Sequence, residues 1–80
     1  MAELKFEIID HIKVLSEKKS GWKKELCLVK WGENEAKYDV RDWSEDYEKC
    51  GKGITLSEEE ARELVKGLQS RLKEDTLDLG

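Results

Sequence analysis

Apolar and polar residues alternate over the first half of the chain and recur at three- and four-residue intervals in the second, a change of period that predicts strands followed by a helix. From Leu4 to Leu15 the stretch LKFEIIDHIKVL sets Phe6, Ile8, Ile12 and Val14 on one side and Lys5, Glu7, His11 and Lys13 on the other, as in a long strand. Ile9 and Leu15 interrupt that period and point to a bulge or to contact with a partner chain. An amphipathic helix could also be drawn here, but the isoleucine and valine content favours a strand. Ser16 to Gly21, SEKKSG, is a polar turn with lysines at its tip. Trp22 to Trp31, WKKELCLVKW, is a second strand with Leu26 and Leu28 facing one way and Cys27, Val29 and Trp31 the other. Gly32-Glu33-Asn34-Glu35 is a turn rich in residues that tolerate sharp backbone angles. In the third strand, Lys37 to Trp43, Tyr38 and Val40 face a core while Lys37, Asp39, Arg41 and Trp43 face water. Lys49-Cys50-Gly51-Lys52-Gly53 reads as a turn freed by its two glycines, ahead of a short fourth strand, Ile54-Thr55-Leu56.

The helix signal is the strongest local one. Ser57 and Glu60 form a capping box that satisfies first-turn amides reciprocally, and Glu58 and Glu59 add negative charge where the helix dipole favours it. Ala61, Leu64, Val65, Leu68 and Leu72 then form one apolar stripe, with Arg62, Glu63, Lys66 and Gln69 opposite. Sheet then helix is the α+β order. Met1 to Glu3 reads as frayed, and residues 73–80, KEDTLDLG, read as a disordered acidic tail behind a single domain over 1–72.

Eighty residues allow one domain, and with 38% hydrophobic and 42% charged residues its core is modest. A domain this small often needs a second device such as a partner subunit. One helix over a small sheet leaves Leu64, Leu68 and Leu72 only partly covered, so a homodimer is expected. The net charge of -4 argues against nucleic acid until its distribution is considered. Six lysines against two acids lie between Lys13 and Lys30, whereas residues 44–80 carry six basic and ten acidic side chains. Acidity belongs to the helix and tail, basicity to the sheet. With no apolar run of membrane-crossing length and no signal-peptide pattern, a cytoplasmic location is expected. There thiols stay reduced, so Cys27 and Cys50 are read as free. Their spacing, with a lone histidine, makes no zinc set.

Catalysis finds no support: there is no Ser/His/Asp or Cys/His set with supporting motifs, GKG is too short for a phosphate loop, and no cofactor or small-molecule substrate is implied. Asp39 and Asp42 read as solvated strand residues, and His11 as an ordinary exposed one. Binding has the better case, because unpaired strands are held by a cationic groove and by flat side chains on which bases stack. Arg41 and Trp43 lie two residues apart, Trp31 ends the adjacent strand, and Lys23, Lys24, Lys30, Lys37, Lys49 and Lys52 are near in sequence. Tryptophans in a small domain also serve as core anchors, and for Trp22 and Trp31 both readings stay open.

YDVRDW followed by GKGITLSEEE resembles the positive cofactor four family of transcriptional coactivators, close to its small bacterial YdbC-like branch, and the likeness runs from about Phe6 to Leu72. The resemblance implies a four-stranded curved antiparallel sheet followed by one C-terminal helix, a homodimer, and binding of single-stranded DNA. It implies nucleic-acid contacts for Arg41 and Trp43, with Trp31 the nearest counterpart of a second aromatic and Lys24, Lys49 and Lys52 the best matches for contacting lysines. The serine- and lysine-rich N-terminal extension of eukaryotic members is missing, so regulation through such a tail is not implied.

The expectation is therefore single-stranded DNA binding without sequence preference, by a homodimer, through Lys24, Lys30, Trp31, Lys37, Arg41, Trp43, Lys49 and Lys52, in transcription regulation or in replication and repair. The alternatives are RNA binding, since stacking is blind to the sugar, and a protein-interaction module that accepts a partner strand at a sheet edge.

Overall fold

The computed structural model describes residues 5–72, so the frayed start and the acidic tail expected at the two ends lie outside the described residues. Strands β1 (Phe6–Glu17), β2 (Lys23–Trp31), β3 (Lys37–Trp43) and β4 (Cys50–Leu56) precede one helix, α1 (Glu58–Arg71). They form a single antiparallel sheet in the order β1-β2-β3-β4, the α+β arrangement expected from the sequence. The β1–β2 turn closes with the Gly21 N–H donating to the Lys18 carbonyl at 2.9 Å. Gly21 sits at φ +97, where a side chain would be strained and would also meet the Glu45 carboxylate.

β1 does not keep a two-residue period. Its pairing with β2 shifts register between Ile8 and Asp10, between His11 and Lys13, and between Val14 and Ser16. Ile9 and Leu15, the two residues that broke the alternation, fall at the first and third shift, and Ile12 falls at the second. Each extra residue turns the following side chains to the opposite face. Phe6, Ile8, His11 and Val14 therefore stand opposite Trp31, Val29, Cys27 and Glu25, all on one face. His11 was expected on the other face from Phe6 and Ile8; the first bulge turns it inward.

The faces of β2 and β3 divide as the alternation predicts, but their burial is the reverse of the expectation for β3. Cys27, Val29 and Trp43 are fully buried, with Phe6, Ile8, Trp31, Tyr47 and Cys50 packed against them. Asp39 and Glu25 are buried on this same face, whereas Tyr38 and Val40 are only half-buried on the other. We call the first the tryptophan face and the second the tyrosine face.

A second correction concerns the glycine-lysine segment. Cys50-Gly51-Lys52-Gly53 belongs to β4, and the chain reverses earlier, over residues 44–49. Gly53 stands opposite Arg41 so closely that an added Cβ would lie 1.9 Å from the Cβ of Arg41. The glycine there serves close strand approach instead of turning. The turn itself is tied by Ser44, whose Oγ donates to Asp46 Oδ1 at 2.8 Å and accepts the Lys49 N–H at 3.0 Å.

The capping box forms as expected: the Glu60 N–H donates to Ser57 Oγ at 3.1 Å, and the Ser57 N–H donates to Glu60 Oε1 at 2.9 Å. Helix α1 meets the sheet only at β3 and β4 and contains no buried residue. Among the described residues no helix is long and apolar enough to cross a membrane.

Candidate nucleic-acid interface

Asp39 organises the tryptophan face. Its buried carboxylate accepts hydrogen bonds from Arg41 Nε at 2.5 Å, Arg41 Nη2 at 3.1 Å, Trp31 Nε1 at 3.1 Å and Thr55 Oγ1 at 2.7 Å. One side chain thus joins β2, β3 and β4, and the two-pronged bond to a guanidinium compensates a charge that would otherwise be costly to bury. Asp39 is not the solvated strand residue expected from the sequence. Its position two residues before Arg41, on the same face of one strand, was the available signal.

Arg41 is held from four directions. Besides Asp39, Nη1 donates to the Gly51 carbonyl at 3.3 Å and Nη2 to Thr55 Oγ1 at 3.4 Å. The hydrogen bond to Asp39 raises its pKa further above the ordinary arginine value, against the opposing effect of burial. Its guanidinium carbon sits 4.8 Å over the ring of Trp31, which is itself half-buried. Arginine and indole therefore form a fixed, flat, cationic unit at the surface.

Trp43 shares that face but not its exposure. Its ring is fully buried, with ring centroids at 5.4 Å to Phe6, 6.5 Å to Trp31 and 6.2 Å to Tyr47. The expectation of an open indole at Trp43 is corrected: side chains from β1 and from the β3–β4 turn cover it. Its indole N–H has no hydrogen-bond partner among the described residues. Trp22 is half-buried and lines a shallow depression with Lys49, Ser44 and Asp46.

The lysines fall in four places. Lys37 is exposed on the tryptophan face at the start of β3, opposite Val29. Lys24 and Lys52 meet on the tyrosine face, where they border an open basin floored by Val40 and Ile54. Lys30 lies at one end of the sheet with Nζ donating to the Gly32 carbonyl at 3.3 Å, and Lys49 at the other end in the β3–β4 turn. Among the described residues none of these five is paired to a carboxylate. The eight expected site residues thus do not share one face: Trp31, Lys37 and Arg41 are together, Lys24 and Lys52 are together behind them, and Trp43 is beneath the surface.

Two further residues escaped the sequence reading. Tyr47 lies in the β3–β4 turn at φ 65, a conformation uncommon for a bulky side chain. There its hydroxyl donates to Glu25 Oε1 at 2.7 Å, and Lys23 Nζ sits 4.2 Å over its ring. Burial would raise the pKa of Glu25, but hydrogen bonds from Tyr47, His11 and Cys27 outweigh it and hold the carboxyl below the usual glutamate value.

The chain matches the family model described as Transcriptional Coactivator p15 (PC4) over residues 18–67, which takes in β2, β3, β4 and most of α1. A protein of Treponema pallidum (strain Nichols) described only as "Uncharacterized protein" is 40% identical over 55 residues, a match covering 69% of this chain and 65% of that protein's length. Sheet order, capped helix and matched residues agree, and the chain belongs to the Transcriptional Coactivator p15 (PC4) family, a nucleic-acid-binding family.

Proposed function

We propose that this protein binds single-stranded DNA without sequence preference, as a homodimer, through the Trp31 and Arg41 unit together with lysines from both faces and both ends of the sheet, and acts in transcription regulation or on strands exposed in replication and repair. The observation that carries this reading is the guanidinium of Arg41 held 4.8 Å over Trp31 at a half-buried surface position. A rigid cation-indole unit offers an unpaired base a flat partner with little to reorganise, and a paired base in a duplex cannot reach it. Because Asp39 offsets the charge of Arg41, attraction for phosphate rests with the unpaired lysines, Lys24, Lys30, Lys37, Lys49 and Lys52. Trp43 acts from below, as the packed support of Trp31.

The homodimer is supported by the helix. Leu64, Val65, Leu68 and Leu72 are 43%, 50%, 50% and 51% exposed, a continuous apolar stripe that a second copy would cover. Strand addition at the β1 edge is the weaker reading, since three register shifts interrupt that edge and bulges blunt an edge against pairing.

Fluorescence anisotropy with oligo-dT, oligo-rU and duplex DNA at two salt concentrations tests the proposal. Binding should favour oligo-dT over duplex and weaken with salt. Equal affinity for duplex, or affinity that ignores salt, overturns it; a clear preference for oligo-rU transfers the reading to RNA.

A further inference from the structure

The tryptophan face carries a second constellation. His11 Nδ1 lies 2.9 Å from Glu25 Oε2 and 3.9 Å from Cys27 Sγ, and one donor atom from each of the three lies within 4.8 Å of the others. We propose that His11, Glu25 and Cys27 form a binding site for a zinc ion, with water completing a tetrahedral set on the solvent side.

Three features carry this. The first is the donor set: imidazole, carboxylate and thiolate are the ligand types zinc takes, with the Cys27 proton released to water as the ion binds, and three protein donors with an open fourth position is a known form of zinc site. Bonds of zinc length at tetrahedral angles separate such donors by about 3.3 to 3.6 Å. The observed 2.9 and 3.9 Å bracket that range, so an ion requires side-chain shifts of well under an ångström between these pairs. The second is how the backbone assembles it. Glu25 and Cys27 alternate onto one face of β2, and the bulge after Ile8 brings His11 directly opposite Cys27 on β1. Strict alternation would have sent His11 to the other face, so no spacing motif in the sequence announces the set.

The third feature is outer support. The Tyr47 hydroxyl occupies Glu25 Oε1 and leaves Oε2 for the ion, while the Tyr47 ring meets the His11 ring edge-on at 4.6 Å between centroids. Metal ligands are commonly oriented by such neighbours. Tyr47 reaches this position through a left-handed backbone conformation, φ 65, that non-glycine residues adopt at a cost, and the Ser44 turn holds it there with the Tyr47 N–H on the Ser44 carbonyl at 2.9 Å. Glu25 and Cys27 are buried while His11 is half-exposed, which gives the ion a protein floor and a solvent entrance.

The test titrates the reduced, untagged, full 80-residue chain with Zn²⁺ against a chromophoric chelator, and with Co²⁺ followed by absorption. One equivalent per chain should bind, and Co²⁺ should give a thiolate charge-transfer band with tetrahedral ligand-field bands. His11→Ala, which leaves the buried core intact, should abolish saturable binding, and Cys50→Ser should leave it unchanged. Tyr47→Phe should weaken it by about tenfold to a hundredfold. If Cys27→Ser compromises folding by circular dichroism, the cobalt-thiolate band in the Cys50→Ser protein still reports Cys27. Absence of saturable binding, survival of binding in His11→Ala, or a cobalt spectrum without the thiolate band overturns the site.

Discussion

The rings of Trp31 and Trp43 lie nearly parallel, 16° apart in plane and 6.5 Å between centroids, yet Trp31 reaches solvent and Trp43 does not. Two tryptophans that look equivalent in sequence therefore divide the labour of one face, the lower one packing and the upper one carrying Arg41. Replacing each by alanine separates the roles. Trp43→Ala should cost about 3 to 5 kcal/mol of stability, as for other large buried aromatics. Trp31→Ala should cost less stability but weaken oligo-dT binding by about 1 to 3 kcal/mol, the value of a lost base stack. Urea denaturation and anisotropy on both variants check this, and the opposite assignment of losses would refute it.

The lysines test which face the strand follows. Each phosphate neutralised on a single strand contributes about 0.7 to the slope of log affinity against log salt. Lys37→Ala should flatten the slope by about that amount if the strand follows the tryptophan face. Lys24→Ala with Lys52→Ala should flatten it by about twice as much if phosphates cross the basin on the tyrosine face. An unchanged slope in either variant removes that face from the binding path.

The exposed stripe of α1 predicts the assembly. Sedimentation at low micromolar concentration should give twice the chain mass, and Leu68→Lys should shift the protein toward the monomer and lower its thermal midpoint. A compact wild-type monomer under those conditions would defeat the homodimer.

Glu25 predicts a pH dependence. Tyr47, His11 and Cys27 face its carboxylate from the β3–β4 turn, β1 and β2, and together they depress its pKa despite burial. A group whose folded pKa lies below its unfolded value adds stability above the unfolded value and loses it as pH falls through the folded one. Urea midpoints of the metal-free protein should therefore fall on acidification through and below the ordinary glutamate range. Glu25→Gln should start less stable and flatten that part of the profile, and a wild-type profile already flat there would contradict the prediction.

What the sequence determined by itself was everything that depends on near neighbours. The capping box of Ser57 and Glu60, the helical stripe from Ala61 to Leu72, and the alternation that sets Cys27, Val29 and Trp31 apart from Leu26 and Leu28 are consequences of residues a few positions apart. Tertiary structure decided which face is covered, because burial of Trp43 depends on Phe6 from β1 and Tyr47 from a turn, while Asp39 is held by Trp31 from β2 and Thr55 from β4, none of which alternation within β3 can reveal. It also decided that Gly51-Lys52-Gly53 is strand, since the need for glycine at Gly53 arises from the approach of Arg41 across the ladder. The place of His11 was decided the same way: a two-residue period broken by bulges fixes a face only once the partner strand supplies the register, and that register is what sets His11 opposite Cys27.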